Sequence, residues 1–472
     1  MKHTSASGGQ RTMKVIPPSP PLVKGGWGDF QATKIITVAG SDPGGGAGVQ
    51  ADLKTIAVLG GYGLSVITAL TAQNTRGVQA VHPVPPAFVA AQMKSILSDI
   101  GADAVKTGML ANAGIISAVA ARLKSCRIRK IVVDPVFLAG SGETLTEATA
   151  LPALKAELLP LAYVVTPNLA EAEVLTGLKV KTVSGMEKAA RAIAGLGPAN
   201  VLIKGGHLAD EPVDVLFDGE GISHFRAERV PGGNKHGTGC TFSTALATFL
   251  AQGYDLVDAV ARAKSFVTLA IRSSFPIGKG AWPANPYAYV DREMSRYQVI
   301  TALEKAVATL KGRPVRHLIP EVQSNLGYAL PFAEDESDVA AIPGRIIGIG
   351  DSVDTLAAPG FGASHHMARI ILAVMRHDPA YRSAMNIRFG EDIIKKCRQL
   401  KWGVASFDRR KEPPGVKRKE GASMSWGIDA ALEDAGKIPD IIYDRGDVGK
   451  EPMIRILGRN PEEVVGKALM LI

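Results

Sequence analysis

The stretch from His236 to Cys240 reads HGTGC and runs directly into TFSTALATFLAQG, an apolar, helix-forming run. Two glycines this close let the chain turn tightly, so successive N–H groups converge on one point, and the following helix adds its positive N-terminal end. Such a turn is an anion hole of the kind that stabilises a phosphoryl group in transit. Cys240 stands at the helix start, where a thiol is expected to be acidified and its thiolate accessible near neutrality. A glycine turn before a helix is often only a turn, and the weight comes from a second glycine segment.

That segment, Ala39 to Asp52, reads AGSDPGGGAGVQAD. The apolar strand KIITVAG leads into it, and the helix ADLKTIAVLG, ended by glycines, follows. Strand, glycine loop and helix in this order open α/β domains that handle nucleotides or phosphates. The spacing fits neither a P-loop nor a dinucleotide fingerprint. Asp52 lies one turn into the helix, either as a charge complementing the dipole or as a pocket residue holding a polar heterocycle.

Strand and helix patterns alternate onward: SVITAL and a helix near 86–99, AVKTG and one near 112–125, KIVVDPV and one near 147–158, YVVTPN and one near 169–176. VLIKGG, a hairpin-like VDVLFDG and ISHFRAERV, the long helix after HGTGC and another near 255–273 complete the series. This alternation predicts a mainly parallel sheet covered on both faces, with functional loops at the carboxyl ends of the strands. Asp134, Asn168 and Lys204 each fall just after a predicted strand. Asp134, Asn168 and Glu171 offer oxygen ligands for Mg²⁺, directly or through water. Asn168 with Glu171 also reads as a helix cap with its reciprocal acid. Lys204, before two glycines, can reach nucleotide phosphates, and it can equally be a lysine ending a strand.

Chain length, 472 residues, predicts two domains. The composition, 46% hydrophobic and 21% charged, is that of a globular protein. Cys126, Cys240 and Cys397 are far apart and imply neither a disulfide framework nor a zinc site, which fits a cytoplasmic protein. The net charge of +9 lacks the aromatic-interleaved basic runs of a nucleic-acid binder, apart from KRK near residue 418, and residues 297–472 carry 25 Lys+Arg against 23 Asp+Glu. The longest uncharged stretch, between Lys54 and Arg76, is broken by GGYG and argues against a membrane span. Residues 1–31, rich in proline and glycine, are expected to be a disordered extension, with Met13 as an alternative initiator.

Together these segments resemble the hydroxymethylpyrimidine and phosphomethylpyrimidine kinases of the ribokinase-like superfamily. ALTAQNTRGVQ at 69–79, KTGML at 106–110, VVDPV at 132–136, VTPNLAEAEVLTG at 165–177 and VLIKGGH at 201–207 come in the family's order, and the resemblance covers residues 32–290. It implies a three-layer α/β/α domain that uses ATP and Mg²⁺ and phosphorylates the pyrimidine alcohol twice. Lys204, Gly237, Thr238, Gly239 and Cys240 would act on the phosphates with Asn168 and Glu171, and Asp134 with Glu171 would serve the metal. Gly40, Asp52, Gln73 and Met109 would surround the pyrimidine. Ribokinase-like sugar kinases place an aspartate base at the Cys240 position, so a thiolate is expected to accept the alcohol proton in the first transfer.

A boundary is expected near 275–298, where FPIGKGAWPANPYAY precedes an amphipathic helix, SRYQVITALEKAVATLKG, with Val299, Leu303, Val307 and Leu310 at helical spacing. Beyond it, FGASHHMAR, NIRFG and GKEPMIRILG resemble the ThiN-type thiamine-phosphate synthase domain over 297–472, a second, smaller α/β domain. The glycine loop entering a helix at Gly362–His366 is a candidate phosphate site, and Arg345, His366, Arg388 and Lys450 are candidate anion ligands. The resemblance implies Arg345 and His366 as catalytic, joining the pyrimidine pyrophosphate to thiazole phosphate. Two alternatives stay open: a ligand-sensing C-terminal domain behind the same kinase, or a vitamin B6 kinase. Partners are expected to be small molecules, with neither nucleic acid nor membrane, and the chain to form a homo-oligomer.

Overall fold

The computed structural model describes residues 32–137, 145–147, 149–208, 212–227, 229–230, 235–417 and 422–472. The proposed N-terminal extension, as well as Arg418 and Lys419 of the basic run, lie outside the described residues. The chain forms two compact units, which divide between Tyr289 and Val290.

The first unit begins β1 (Lys34–Ser41), α1 (Gly48–Val58), β2 (Tyr62–Asn74), β3 (Gly77–Pro83), α2 (Pro86–Asp99), β4 (Ala104–Thr107), α3 (Ala113–Ser125) and β5 (Ile131–Val133). It continues with α4 (Ala150–Ala153), β6 (Val164–Val165), α5 (Leu169–Thr176), α6 (Val183–Ala194), β7 (Asn200–Ile203), β8 (Val213–Phe217) and β9 (Ile222–Arg226). β10 (Lys235–His236), α7 (Thr238–Ala251), α8 (Leu256–Arg272) and β11 (Trp282–Pro283) complete it. Nine strands make one sheet in the order β3-β2-β1-β4-β5-β6-β7-β8-β9. The six from β2 to β7 are parallel; β3 and β8 flank them antiparallel, and β9 pairs antiparallel to β8 at the far edge.

Side chains alternate across these strands, so each strand feeds two cores. Ile36, Val38, Val133 and Ile203 face the layer carrying Val89, Met93 and Ile115. Ile35, Val132, Val164 and Leu202 face α7 and α8 through Phe242, Leu246 and Phe266. Two local expectations change. The helix expected near 147–158 is only one turn, followed by a wider turn over Leu154–Leu158 and a tight one over Leu159–Leu161. Pro152 and Pro160 lack the N–H that a regular helix needs. The strand that contains SVITAL runs thirteen residues from Tyr62 and folds back as β3, a pairing the apolar pattern alone did not reveal.

The second unit contains most of α9 (Ala288–Lys311), then β12 (Leu326–Ala329), β13 (Val339–Ala341), β14 (Ile346–Ile349), β15 (Ser352–Thr355), β16 (Gly360–Phe361) and α10 (His365–His377). β17 (Ser383–Arg388), α11 (Glu391–Gln399), β18 (Val404–Ser406), α12 (Pro414–Lys417), α13 (Ala422–Ala435), β19 (Ile441–Asp444), β20 (Met453–Gly458) and α14 (Pro461–Leu469) follow. Seven strands order as β16-β13-β12-β17-β20-β19-β18, and only β18 and β19 run parallel. Val299, Leu303, Val307 and Leu310 are all buried on α9, as their spacing predicts. They pack with Met385, Ile387, Ile454 and Ile456 on one sheet face, while Ala384, Ile442 and Leu457 meet α10 and α13 on the other.

Candidate functional site

The carboxyl ends of the parallel strands open into a cavity of about 870 Å³. Gly40, Gln73, Met109, Asp134, Asn168, Glu171, Lys204, Gly237, Thr238, Gly239 and Cys240 all line it. The two glycine segments touch each other there. Gly237 is left-handed at φ 78°, and a Cβ on it would lie 1.7 Å from the carbonyl oxygen of Gly46. Only glycine lets the loop after β1 and the loop before α7 approach this closely. Gly237 is also the N-cap of α7 and supplies no side-chain cap, which leaves the first N–H groups of the helix to face the cavity.

Beside this hole, Lys204 Nζ lies 2.8 Å from Asp134 Oδ1, and Thr166 and Ser243 hydroxyls also donate to Asp134. Burial opposes the Asp134 charge, but Lys204 and Lys106 outweigh it and hold its carboxyl below the usual range. Asn168 and Glu171 form the reciprocal helix cap: the Asn168 N–H donates to Glu171 over 2.7 Å, and the Glu171 N–H donates to Asn168 over 2.9 Å. The cap does not remove them from the cavity. Burial, opposed by Lys204 and aided by Asp134, pushes the Glu171 carboxyl up to about 7.

Two expectations are corrected. Cys240 is not acidified: burial pushes its thiol up to about 11, against the pull of Lys106 and with Asp52 and Asp134 adding negative charge nearby. Desolvation exceeds what Lys106 and a Gly48 N–H return, so the thiol is the favoured form at neutral pH. Asp52 does not face the cavity. It is fully buried and accepts from Thr37, from Lys106 Nζ over 2.8 Å and from Thr244 Oγ1 over 2.6 Å. Its charge complements a lysine rather than a ligand ring. Sequence reasoning assigned no role to Lys106, although a lysine closing the apolar strand AVKT was the available signal, since a buried ammonium needs a partner. It also passed over Asp42 and His236, which line the same cavity 3.0 Å apart.

In the second unit, Arg345 is left-handed at φ 72°, directly after Gly344 at the same φ, and its guanidinium donates to the Val322 carbonyl. A non-glycine residue held there carries backbone strain. His366 is the second residue of α10, whose cap is the Ser364 hydroxyl accepting from the Met367 N–H. The His366 ring is solvent-exposed at its edge, but the protein packed around it and then the guanidiniums of Arg455, Arg409 and Arg345 push its imidazolium down to about 4. Two of those arginines were not anticipated. Arg455 and Asp444 are fully buried, Arg409 nearly so, and Asp444 lies 2.8 Å from Arg455 and 2.6 Å from Arg409. An arginine inside the apolar strand MIRILG was the signal for this cluster. Arg388 spends its guanidinium on the His317 carbonyl, 2.8 Å away, and on Asp392, while Lys450 sits on an exposed turn closed with Asp447.

Comparison with known proteins follows this division. Residues 42–285 match the family model for phosphomethylpyrimidine kinase, and residues 302–470 match that for thiamine-phosphate synthase ThiN. The bifunctional thiamine biosynthesis protein ThiDN of Methanocaldococcus jannaschii is 35% identical over 441 residues, 92% of this chain and 97% of that one. The bifunctional protein ThiED of Geobacter sulfurreducens is 55% identical over 257 residues, 54% of this chain; the chain spans about half (52%) of that relative's length. The solved pyridoxal kinase of Staphylococcus aureus with AMP-PCP superposes with a TM-score of 0.52 at 37% identity, over 55% of this chain and 95% of that one. Among the described residues, no helix is long and apolar enough to cross a membrane. Matched over nearly its full length, the chain belongs to the bifunctional ThiDN proteins of thiamine biosynthesis, a phosphomethylpyrimidine kinase joined to a ThiN-type thiamine-phosphate synthase.

Proposed function

We propose that the first unit moves the γ-phosphoryl of ATP to the hydroxymethyl of an aminopyrimidine and then to the resulting monophosphate. The second unit then joins the pyrophosphate to thiazole phosphate. The observation that carries the kinase reading is one cavity holding both the α7 glycine turn with Lys204 and Asp134, and the pyrimidine candidates Gly40, Gln73 and Met109. Gly40 makes room for Met109: a Cβ on it would lie 3.0 Å from the Met109 sulfur. Thr238, Gly239 and Cys240 contribute backbone N–H groups to the travelling phosphoryl, and Lys204 adds its ammonium.

Among the described residues no group of three or more His, Cys, Asp or Glu side chains is placed to hold a metal. Two carboxylates, one engaged by a lysine, fit an ion held mainly by water and phosphate oxygens, as Mg²⁺ prefers. Glu171 and Asp134 would hold it through water, and it would neutralise phosphate charge. Asp52 supports the site from beneath through Lys106. In the second unit, Arg345 supplies positive charge for a departing pyrophosphate, the buried Arg409–Asp444–Arg455 cluster adds its net positive charge from behind, and neutral His366 offers an N–H donor. Arg388, once released from His317 and Asp392, and Lys450, on its exposed turn, are assigned to phosphate.

A one-pot assay tests the reading. Purified protein receives hydroxymethylpyrimidine, ATP with Mg²⁺ and thiazole phosphate, and products are followed by mass spectrometry. Thiamine phosphate is the expected product. Pyrimidine pyrophosphate without thiamine phosphate would leave the second unit a sensor, and no phosphorylated pyrimidine would overturn the kinase reading.

A further inference from the structure

On one wall of the cavity Gln73 is hydrogen-bonded into a cluster with two side chains, His236 and Asp42, to which the reaction above gives no role. Asp42 follows β1, Gln73 lies near the end of β2, and His236 ends β10 immediately before the glycine turn. His236 Nε2 is 3.0 Å from Asp42 Oδ2 and 3.1 Å from one end of the Gln73 amide. Asp42 is nearly buried, and its carboxylate also accepts the N–H groups of Gly44, Gly46 and Ala47 at 2.8, 3.0 and 2.8 Å. Against the cost of burial, these donors and His236 hold it below the usual carboxyl range.

An ionised carboxylate only accepts, so His236 Nε2 must carry a hydrogen, and a protonated ring nitrogen cannot accept from an amide. The end of Gln73 facing His236 is therefore its carbonyl oxygen, which shares the one Nε2 hydrogen with the Asp42 carboxylate in a three-centre bond. The single hydroxyl proton of Thr71 goes to the Ser41 carbonyl over 2.8 Å, while the other end of the Gln73 amide lies 3.2 Å from the same hydroxyl oxygen. That end must donate, so it is the NH₂. Gln73 is thus clamped at both ends, leaving one N–H and one carbonyl lone pair for a ligand.

The clamp is built against the phosphoryl side of the cavity. A Cβ on Gly46 would lie 2.5 Å from His236 Cδ2, so only glycine lets the imidazole lie on this loop. The next residue along, Gly237, caps α7. An imidazole that sets the Gln73 amide is therefore one residue from the anion hole.

Building on the kinase reading, we propose that Asp42 and His236 are positioning residues: Asp42 fixes the proton on His236 Nε2, and His236 fixes which way the Gln73 amide faces. The cavity then selects a heterocycle that shows an adjacent donor and acceptor, and holds it in register with the glycine turn. Neither residue transfers a proton to substrate.

The test uses the full chain. Nitrogen-15 imidazole NMR, with His236 assigned by its loss in His236→Phe, reads the tautomer, and steady-state kinetics read KM for hydroxymethylpyrimidine and for ATP. Expected are a protonated Nε2 in the wild type, loss of that preference in Asp42→Asn, and in both variants a pyrimidine KM raised roughly tenfold, the size of one lost hydrogen bond, with the ATP KM unchanged. An unprotonated Nε2 in a wild type that phosphorylates the pyrimidine would overturn the clamp alone. Equal losses for both substrates would reduce the pair to a structural role and overturn the proposal. A wild type that does not phosphorylate the pyrimidine would remove the kinase reading and the clamp together.

Discussion

Lys106 Nζ donates to Asp52 Oδ2 over 2.8 Å, and neither side chain is exposed. The pair joins β4 to α1, and Thr244 extends it to α7, so it ties the helix carrying the anion hole to the sheet. Removing one member of such a pair strands a buried charge. Asp52→Asn is expected to destabilise the protein by about 3–5 kcal/mol, and Asp52→Leu with Lys106→Met to recover most of that loss. Urea unfolding of the purified variants measures both. An Asp52→Asn protein of wild-type stability with a raised pyrimidine KM would return Asp52 to the ring-binding role its sequence position suggested.

Glu171 gives a pH signature. Its carboxyl is pushed up to about 7, so below that pH it is mostly protonated and neutral, and above it ionised. Holding Mg²⁺ requires the ionised form. Affinity for ATP in the presence of Mg²⁺ should therefore rise with pH toward 7, by up to about tenfold per unit below it, and level off above. Glu171→Gln keeps an oxygen to accept the Asn168 N–H and so preserves the cap. Its affinity should be weaker and flat across the same range in calorimetric titrations. A wild-type profile without an inflection between pH 6 and 8 would remove Glu171 from metal binding.

The parallel sheet was legible because apolar strands alternate with capped helices, and the cavity because glycine turns and polar residues fall just beyond those strands. Chain order put Gly40, Asp134, Asn168 and Lys204 at one sheet edge without any coordinates. What stayed hidden depends on direction and depth. Asp52 on α1 points to Lys106, a partner fifty-four residues away, and no local pattern gives that heading. Cys240 sits at a helix start, which favours a thiolate, but the burial that cancels this effect is tertiary. The antiparallel second sheet was hidden for a related reason. Strands such as MIRILG are covered on both faces, and they read like parallel strands until pairing is seen.

His366 is pushed down to about 4 by the packing around it and by Arg455, Arg409 and Arg345, so the neutral ring is the favoured form near pH 7. Its required form, the neutral N–H donor, is present at every pH above that value and is lost only as pH falls through it. Condensation should therefore show no His366-dependent change between pH 6 and 8. His366→Ala should abolish condensation while pyrimidine phosphorylation continues. Asp444→Asn supplies a second check, because it leaves Arg409 and Arg455 with one fewer anion and should lower the melting temperature. Stopped-flow product assays with preformed pyrimidine pyrophosphate separate these effects from the kinase. A rate that climbs as pH falls from 8 to 6 would mean that the imidazolium, not the neutral ring, is the working form.

Cys240 provides the sharpest difference between a sequence expectation and the folded site. A thiolate base would serve only the first transfer, where an alcohol must lose its proton; the second acceptor is already anionic. With the thiol pushed up to about 11, no such asymmetry is expected. Cys240→Ala keeps the backbone N–H of the anion hole and removes only the sulfur. Both phosphorylations should therefore fall by a similar factor, about tenfold or less, well short of the loss of roughly a hundredfold or more that follows removal of an oxyanion donor. Gly239→Ala is the contrasting variant. Its Cβ would stand 3.3 Å from Lys204 Nζ and 3.8 Å from Asp134, inside the space the phosphoryl crosses, so it should suppress both steps far more strongly. Single-turnover assays on the alcohol and on the monophosphate measure the two steps separately. A Cys240→Ala enzyme that loses the first step and keeps the second would restore the base role and show that bound substrate brings the thiol's pKa back toward neutrality.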